Sequence, residues 1–186
     1  MKLRTIYDLG ANHGEDTARY LHYADKVISV EANPIIAEGL SHKFAAEIAA
    51  GRVELLNIGI WNTRGKLPFY RHNNDHWSSF DPNYGMREGG YEIIDIETVT
   101  FPDLVRAHGQ PDFLKIDIEG GEWEILADTR FGELSVPVIS MEYHGLHCPG
   151  PDPRSHALAL LHDAGYRVEP FLERQPGIAE IWASRS

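Results

Sequence analysis

Thr5-Ile6-Tyr7-Asp8-Leu9-Gly10-Ala11-Asn12-His13-Gly14-Glu15 decides the fold. An apolar run stopped by glycine and followed by acids predicts a buried strand over 5–9, a turn, and a helix over 15–23. Outward from it the alternation repeats. Strands are expected over 27–31, 53–60, 113–118 and 136–143. Helices are expected over 35–50, 101–108, 122–128 and 154–164. Segments 168–171 and 178–183 are expected to form a terminal antiparallel pair. Strands spaced by helices predict an α/β fold with a mostly parallel sheet, which binds ligands beyond the C-terminal strand ends. Between 61 and 109, Gly, Asn and Pro break the pattern. That segment is expected as an excursion on the ligand-binding edge of a single domain spanning 1–186.

The 186 residues carry 17 basic and 28 acidic side chains, a formal charge of −11. Nucleic-acid binding needs clustered Lys and Arg facing phosphates, and an anionic membrane needs the same, so neither partner is expected. No apolar run approaches the length of a membrane span. The N-terminus carries no secretory h-region, and the lone Cys148 has no partner for an internal disulfide. Both point to a reducing, cytoplasmic setting. The chain starts at its first strand, so a cap over the substrate is not expected ahead of it.

Gly10 and Gly14 permit a tight turn and close backbone approach to a ligand. Glu31 ends the second strand and can accept hydrogen bonds from both hydroxyls of a ribose. The pair suggests an adenosine-containing cofactor. A dinucleotide fingerprint would need glycine at 12 and 15, where this chain has Asn12 and Glu15. Asn12 intrudes on a pyrophosphate and Glu15 repels one. A ribose without phosphate fits S-adenosylmethionine. The bland alternative is that both glycines merely shape a turn.

A second stretch, Lys115-Ile116-Asp117-Ile118-Glu119-Gly120-Gly121-Glu122, is dense in charge. On a strand, 115, 117 and 119 share one face. Unpaired burial of such groups is costly, so function is expected at this strand end. The alternative is a structural Lys115–Asp117 pair with Glu119 solvated.

Three stretches carry a resemblance: Asp8-Leu9-Gly10-Ala11-Asn12-His13-Gly14 with Thr17, Val30-Glu31-Ala32-Asn33-Pro34, and the Lys115–Glu122 run. Over residues 5 to 145 the sequence resembles the FkbM-type family of S-adenosylmethionine-dependent methyltransferases. The resemblance implies a Rossmann-like class I methyltransferase fold. It implies methylation of a hydroxyl on a sugar or small natural product, with no required metal. By position, Asp8, Gly10, Ala11, Asn12, Gly14 and Thr17 would hold the methionine part and Glu31 the ribose. Ala32 and Asn33 would lie beside the adenosine, and Ile58 would line the adenine. Ser78 and Ser79 match a Ser-Ser pair that closes over the cofactor.

An alcohol acceptor needs a proton acceptor during attack. Asp117, Glu119, Glu142 and His144 are the candidate catalytic residues at two neighbouring strand ends. His144 has the ordinary pKa of a base near neutrality. Asp117 is also a candidate partner for the cofactor's ammonium. The same four groups suit Mg²⁺, Mn²⁺ or Ca²⁺ better than structural Zn²⁺, although a divalent metal is not expected. His72, His76, Trp77 and Phe80, with Tyr70, Tyr84 and Tyr91, suggest a lid over a ring substrate, or plain loop packing. His147-Cys148-Pro149-Gly150-Pro151 is a candidate second wall. Nitrogen or carboxylate methylation, and a non-catalytic cofactor-binding subunit, stay open as alternatives.

Overall fold

The computed structural model describes residues 2–86, 88–169, 172–175 and 178–185. The first half runs β1 Leu3–Leu9, α1 Glu15–Tyr20, β2 Ala24–Val30, α2 Pro34–Lys43, α3 Ala45–Ala49 and β3 Val53–Leu56. Then come β4 Gly59–Ile60, β5 Gly65–His72, α4 Pro82–Gly85, β6 Tyr91–Val99 and α5 Phe101–His108. The last part runs β7 Phe113–Ile116, α6 Glu122–Leu126, β8 Val138–His144, α7 Pro153–Asp163, β9 Arg167–Val168, β10 Leu172–Gln175 and β11 Ile178–Ser184.

The main sheet has the order β10-β11-β8-β7-β1-β2-β3, with β9 also on β11. Strands β3, β2, β1, β7 and β8 are parallel, and β11 runs antiparallel to β8. The chain winds one way from β1 and the other way from β7. Their C-terminal ends therefore frame the crevice at which such sheets bind ligands. Tyr7, Leu9, Ile28, Leu114, Ile116 and Met141 are buried on one face, under Phe101, Leu104, Trp123 and Leu161. On the other face Ile6, Val27 and Phe113 pack with Tyr20 and Leu21. Among the described residues, no helix is long and apolar enough to cross a membrane.

Caps explain several helix starts. Asn33, Thr100 and Asp152 each accept a hydrogen bond from a first-turn N–H, and each is followed by proline within two residues. Four expectations need correction. The helix over 35–50 breaks in two at Phe44, whose ring turns inward beneath Gly14. The strand over 53–60 also splits. Asn57 Nδ2 donates to the carbonyls of Glu31 (2.8 Å) and Ala32 (3.1 Å), drawing the chain off the main sheet after Leu56. Gly59–Ile60 then joins a second sheet of order β4-β6-β5. The third correction is that the excursion is not irregular: β5 and β6 form a hairpin paired from Gly65↔Thr98 to His72↔Tyr91. Pro68 hides it in the sequence, yet proline is tolerated on β5 because that strand is an edge. The fourth is that the seventh strand ends at Ile116 rather than 118. The terminal antiparallel pairing occurs through β9 and β10 on β11, and Phe171 lies outside the described residues.

Candidate active site

A polar row crosses the sheet at the crevice. Ser29, Asp8, Lys115 and Ser140 are register partners on successive strands. Asp8 is fully buried. Its Oδ2 accepts a hydrogen bond from Thr17 Oγ1 at 2.6 Å, and Thr17 Oγ1 is 2.8 Å from Ser29 Oγ. Lys115 Nζ donates to the Gly10 carbonyl at 2.8 Å. It lies 3.5 Å from both Asp8 Oδ1 and Asp117 Oδ2. Burial raises the Asp8 pKa, against the pull of Lys115. Burial also opposes the Lys115 charge, but Asp8 and Asp117 outweigh it and hold the ammonium above its ordinary value. Lys115 therefore joins the β1 turn to the β7 turn.

The glycines of the first turn serve the chain itself. Gly10 has φ +79°, and a Cβ there would lie 1.8 Å from the Asp117 carbonyl oxygen. Gly14 has φ +78°, and its Cβ would meet Phe44 at 2.6 Å and Leu40 at 2.7 Å. A Cβ at either position would thus meet the β7 turn or α2, and Gly10 also borders the cleft that opens at the crevice. Glu31 holds this turn from the next strand. Its two carboxylate oxygens accept from the backbone N–H of Asn12 (2.9 Å) and Asn33 (2.8 Å). Burial pushes its pKa up, and these two bonds oppose the rise.

A cleft opens over these groups. Of the expected cofactor residues, Gly10, Ala11, Asn12, Glu31, Ala32, Ile58, Ser78 and Asp117 line it. Asp8, Gly14, Thr17, Asn33 and Ser79 stand behind that wall. Its lining combines apolar side chains, Ile36, Ile58, Ile60, Phe69 and Phe80, with the carboxylates of Glu15, Asp16, Glu31 and Asp117. Asn12 Oδ1 is buried without a hydrogen-bond partner. Phe80 packs on Trp61 and Phe69 and fills the space that Gly59 leaves by lacking a Cβ.

The excursion closes one side. Asn12 Nδ2 lies 3.3 Å from His76 Nδ1, and His13 Nε2 lies 3.3 Å from Asp75 Oδ2. Ser79 Oγ donates to the Glu119 carbonyl at 2.7 Å, and His147 Nδ1 is 2.6 Å from Asp81 Oδ2. That imidazole holds the Asp81 carboxyl below its ordinary pKa, against its partial burial. The expected serine pair thus divides its work: Ser78 borders the cleft, while Ser79 pins the excursion to the β7 turn. His72 is buried and bonded to the Asn74 N–H and the Glu88 carbonyl, so it shapes the loop rather than facing the cleft. His76 and Phe80 do line the cleft. The side chain of Tyr84 lies outside the described residues.

Asp117, Glu119, Glu142 and His144 come together, with one addition. Glu122, fully buried, accepts from the N–H of Ile118 (3.0 Å) and Gly120 (2.9 Å) and lies 3.1 Å from His144 Nδ1. His144 Nε2 is 3.1 Å from Glu119 Oε2 and 3.9 Å from Glu142 Oε1. Burial opposes the imidazolium, but Glu122 and then Glu119 and Asp117 outweigh it and raise its pKa to about 10. The expectation of a base with an ordinary pKa is therefore corrected. Glu119 is reached by the turn, at φ +52°, and not by strand alternation; its carboxylate meets His144 instead of bulk solvent. Asp117, Glu122 and His144 bring donor atoms within 4.8 Å of one another. Those of Glu122 and His144 are turned on each other and on backbone N–H groups. A second cleft, lined by Asp117, Glu142, Glu180, Tyr20 and Trp182, meets the first at Asp16, Lys115 and Asp117.

Sequence reasoning missed Glu122, Asn57, Phe69 and Asp75. Glu122 carried a signal: an acid at the start of a helix after two glycines is placed to accept from its own turn.

This sheet order and crevice define the class, and the fold is that of the Rossmann-like methyltransferases. The crystal structure of methyltransferase FkbM from Methylobacillus flagellatus KT superposes with TM-score 0.64 at 17% identity, over 99% of this chain and 44% of that one. This chain thus spans less than half of that protein. Magnesium protoporphyrin IX methyltransferase from Synechocystis, solved with bound SAM, gives TM-score 0.57 at 11% identity over 100% of this chain and 71% of that one. At these identities the likeness is one of fold. In sequence, methyltransferase sdnD of Sordaria araneosa is 27% identical over 88% of this chain and 73% of its own length. The family described as the methyltransferase FkbM domain matches residues 8–168, and the chain belongs to that family.

Proposed function

We propose that the chain transfers a methyl group from S-adenosylmethionine to a hydroxyl of a sugar or small natural product. The mixed lining of the cleft carries this reading. Its apolar side chains suit adenine, and Glu31, held by two backbone N–H groups, keeps lone pairs for ribose hydroxyls. Its carboxylates and the unpartnered Asn12 Oδ1 suit a cationic methionine moiety. The lysine on the wall, Lys115, is already paired with Asp8 and Asp117, and Glu15, Asp16 and Asp75 add negative charge, a poor setting for a pyrophosphate.

The cofactor supplies an activated methyl on a sulfonium, whose loss leaves a neutral thioether. The chain's work is alignment, exclusion of water and a place for the acceptor's proton. Asp117 and Glu119 line the cleft and are carboxylates within reach of that task. The excursion, clasped to the β1 and β7 turns, closes one side of the cleft.

An amine acceptor is favoured by one observation. Glu142 and Glu180 are register partners and line the second cleft with Asp117, a setting that attracts an ammonium group. Calorimetric titration with S-adenosylhomocysteine tests the cofactor, and absence of binding overturns the reading. Labelled S-adenosylmethionine offered with matched hydroxyl and amine acceptors tests the second part: label on the amine alone rules out oxygen transfer.

A further inference from the structure

His144 closes the end of β8 with carboxylates against both of its ring nitrogens. Glu122 Oε1 is 3.1 Å from Nδ1 and Glu119 Oε2 is 3.1 Å from Nε2. A neutral imidazole carries one N–H and would set a lone pair against one of these anions, whereas the imidazolium donates to Glu122 and turns its second N–H to an ion-pair contact with Glu119, outside hydrogen-bond alignment. We propose that His144 is a standing cation that positions Glu119 at the cleft wall, and that it does not exchange the reaction's proton.

The geometry around it supports this division. Glu119 lines the cofactor cleft and His144 does not. The Glu119 backbone is left-handed, a conformation a non-glycine residue keeps only when its surroundings hold it. Those holds are visible. Glu122 takes the N–H groups on either side, Ile118 and Gly120, and Ser79 takes the Glu119 carbonyl. His144 ties Glu122 and Glu119 to each other through its ring, and to α6 through its own carbonyl, which accepts from Trp123 Nε1 at 3.2 Å.

The charged groups facing the ring come from each neighbouring element. They are Asp117 and Glu119 on the β7 turn, Glu122 on α6 and Glu142 on its own strand. The Asp81–His147 pair packs beside Gly120 at the edge of the cluster. Four carboxylates around one buried ring keep it charged across neutral pH. The ring's charge is independent of the methyl-transfer reading; the statement that Glu119 faces a reaction rests on it.

Histidine labelled with ¹⁵N, read by long-range proton–nitrogen correlation from pH 6 to pH 9, tests the proposal on the wild-type protein. The His144 signals are assigned by their loss in His144→Gln. Both nitrogens are expected to stay protonated through pH 8. A neutral ring at pH 7.5 would overturn the proposal. In Glu119→Gln the ring is expected to bind its proton at least about tenfold more weakly, since one facing anion is gone. An unchanged titration would break the link between the two residues. Titration with S-adenosylhomocysteine on the same samples separates the readings. Loss of binding with a charged His144 counts against methyl transfer alone, and binding with a neutral His144 counts against this inference alone.

Discussion

The β1 turn and the β7 turn do the same job at neighbouring strand ends, by different physics. Residues 10–14 are held chiefly by exclusion, with the Glu31 carboxylate on the Asn12 N–H as a second hold. Gly10 packs on the Asp117 carbonyl and Gly14 on Phe44, in space that no side chain can share. Residues 117–121 are held by charge. Glu122 gathers the turn's N–H groups and His144 neutralises it. The steric contacts at Gly10 and Gly14 are insensitive to pH, whereas holds made by buried ions are not. Lys115 joins the two turns, donating to Gly10 and pairing with Asp117.

Substitutions separate the two modes. Gly10→Ala places a methyl on a backbone carbonyl at a left-handed residue. It is expected to cost about 3–5 kcal/mol, equally at pH 5 and pH 8, in chemical denaturation. A deficit that shrinks with acid would mean that charge also sets the Gly10 contact. Lys115→Met leaves Asp8 and Asp117 without their cation and is expected to cost about 3–4 kcal/mol at pH 8. The folded-state pKa of Asp8 is raised, so protonation favours the folded state. Loss of the ammonium raises the Asp8 pKa further, so the Lys115→Met penalty is largest with Asp8 ionised and recedes as pH falls through the variant's Asp8 pKa toward the wild-type one.

Smaller effects sharpen the picture. Glu31→Gln keeps one acceptor and loses the charge, and is expected to weaken S-adenosylhomocysteine by about 2 kcal/mol, or roughly 30-fold, by calorimetry. Ser79→Ala removes the bond to the Glu119 carbonyl and is expected to lower stability by about 1 kcal/mol. Asp75→Asn breaks a partly exposed contact with His13. Its stability is expected within about 0.5 kcal/mol of wild type, with faster cofactor dissociation as the main change in stopped flow.

What the sequence made legible follows the first mode. The Asp8–Gly14 run and Glu31 lie within a strand and turn of one another, so spacing alone placed them at one crevice. The Lys115–Glu122 run was marked by charge in a buried strand. Glu122 escaped because its partner His144 lies 22 residues away, and its own backbone bonds depend on a turn that strand alternation does not describe. Asn57 escaped because its partners are main-chain carbonyls. The β5–β6 hairpin escaped although 91–99 partly alternates and Arg71 faces Glu92 across it, because Pro68 breaks the other strand. The histidines of the excursion suggest a lid or plain loop packing, and they divide: His72 is spent on its own loop, while His76 lines the cleft.

The Gly10 contact has a mechanical consequence. With no room between the β1 and β7 turns, the cofactor loop and the carboxylate turn move as one block. Opening and closing around a ligand then falls to the excursion, which is joined to that block by two chain crossings and a few polar clasps. Exchanging the sequence of that hairpin would change the cleft's movable side while leaving the block intact. The molecule is in this sense a fixed jaw and a replaceable one.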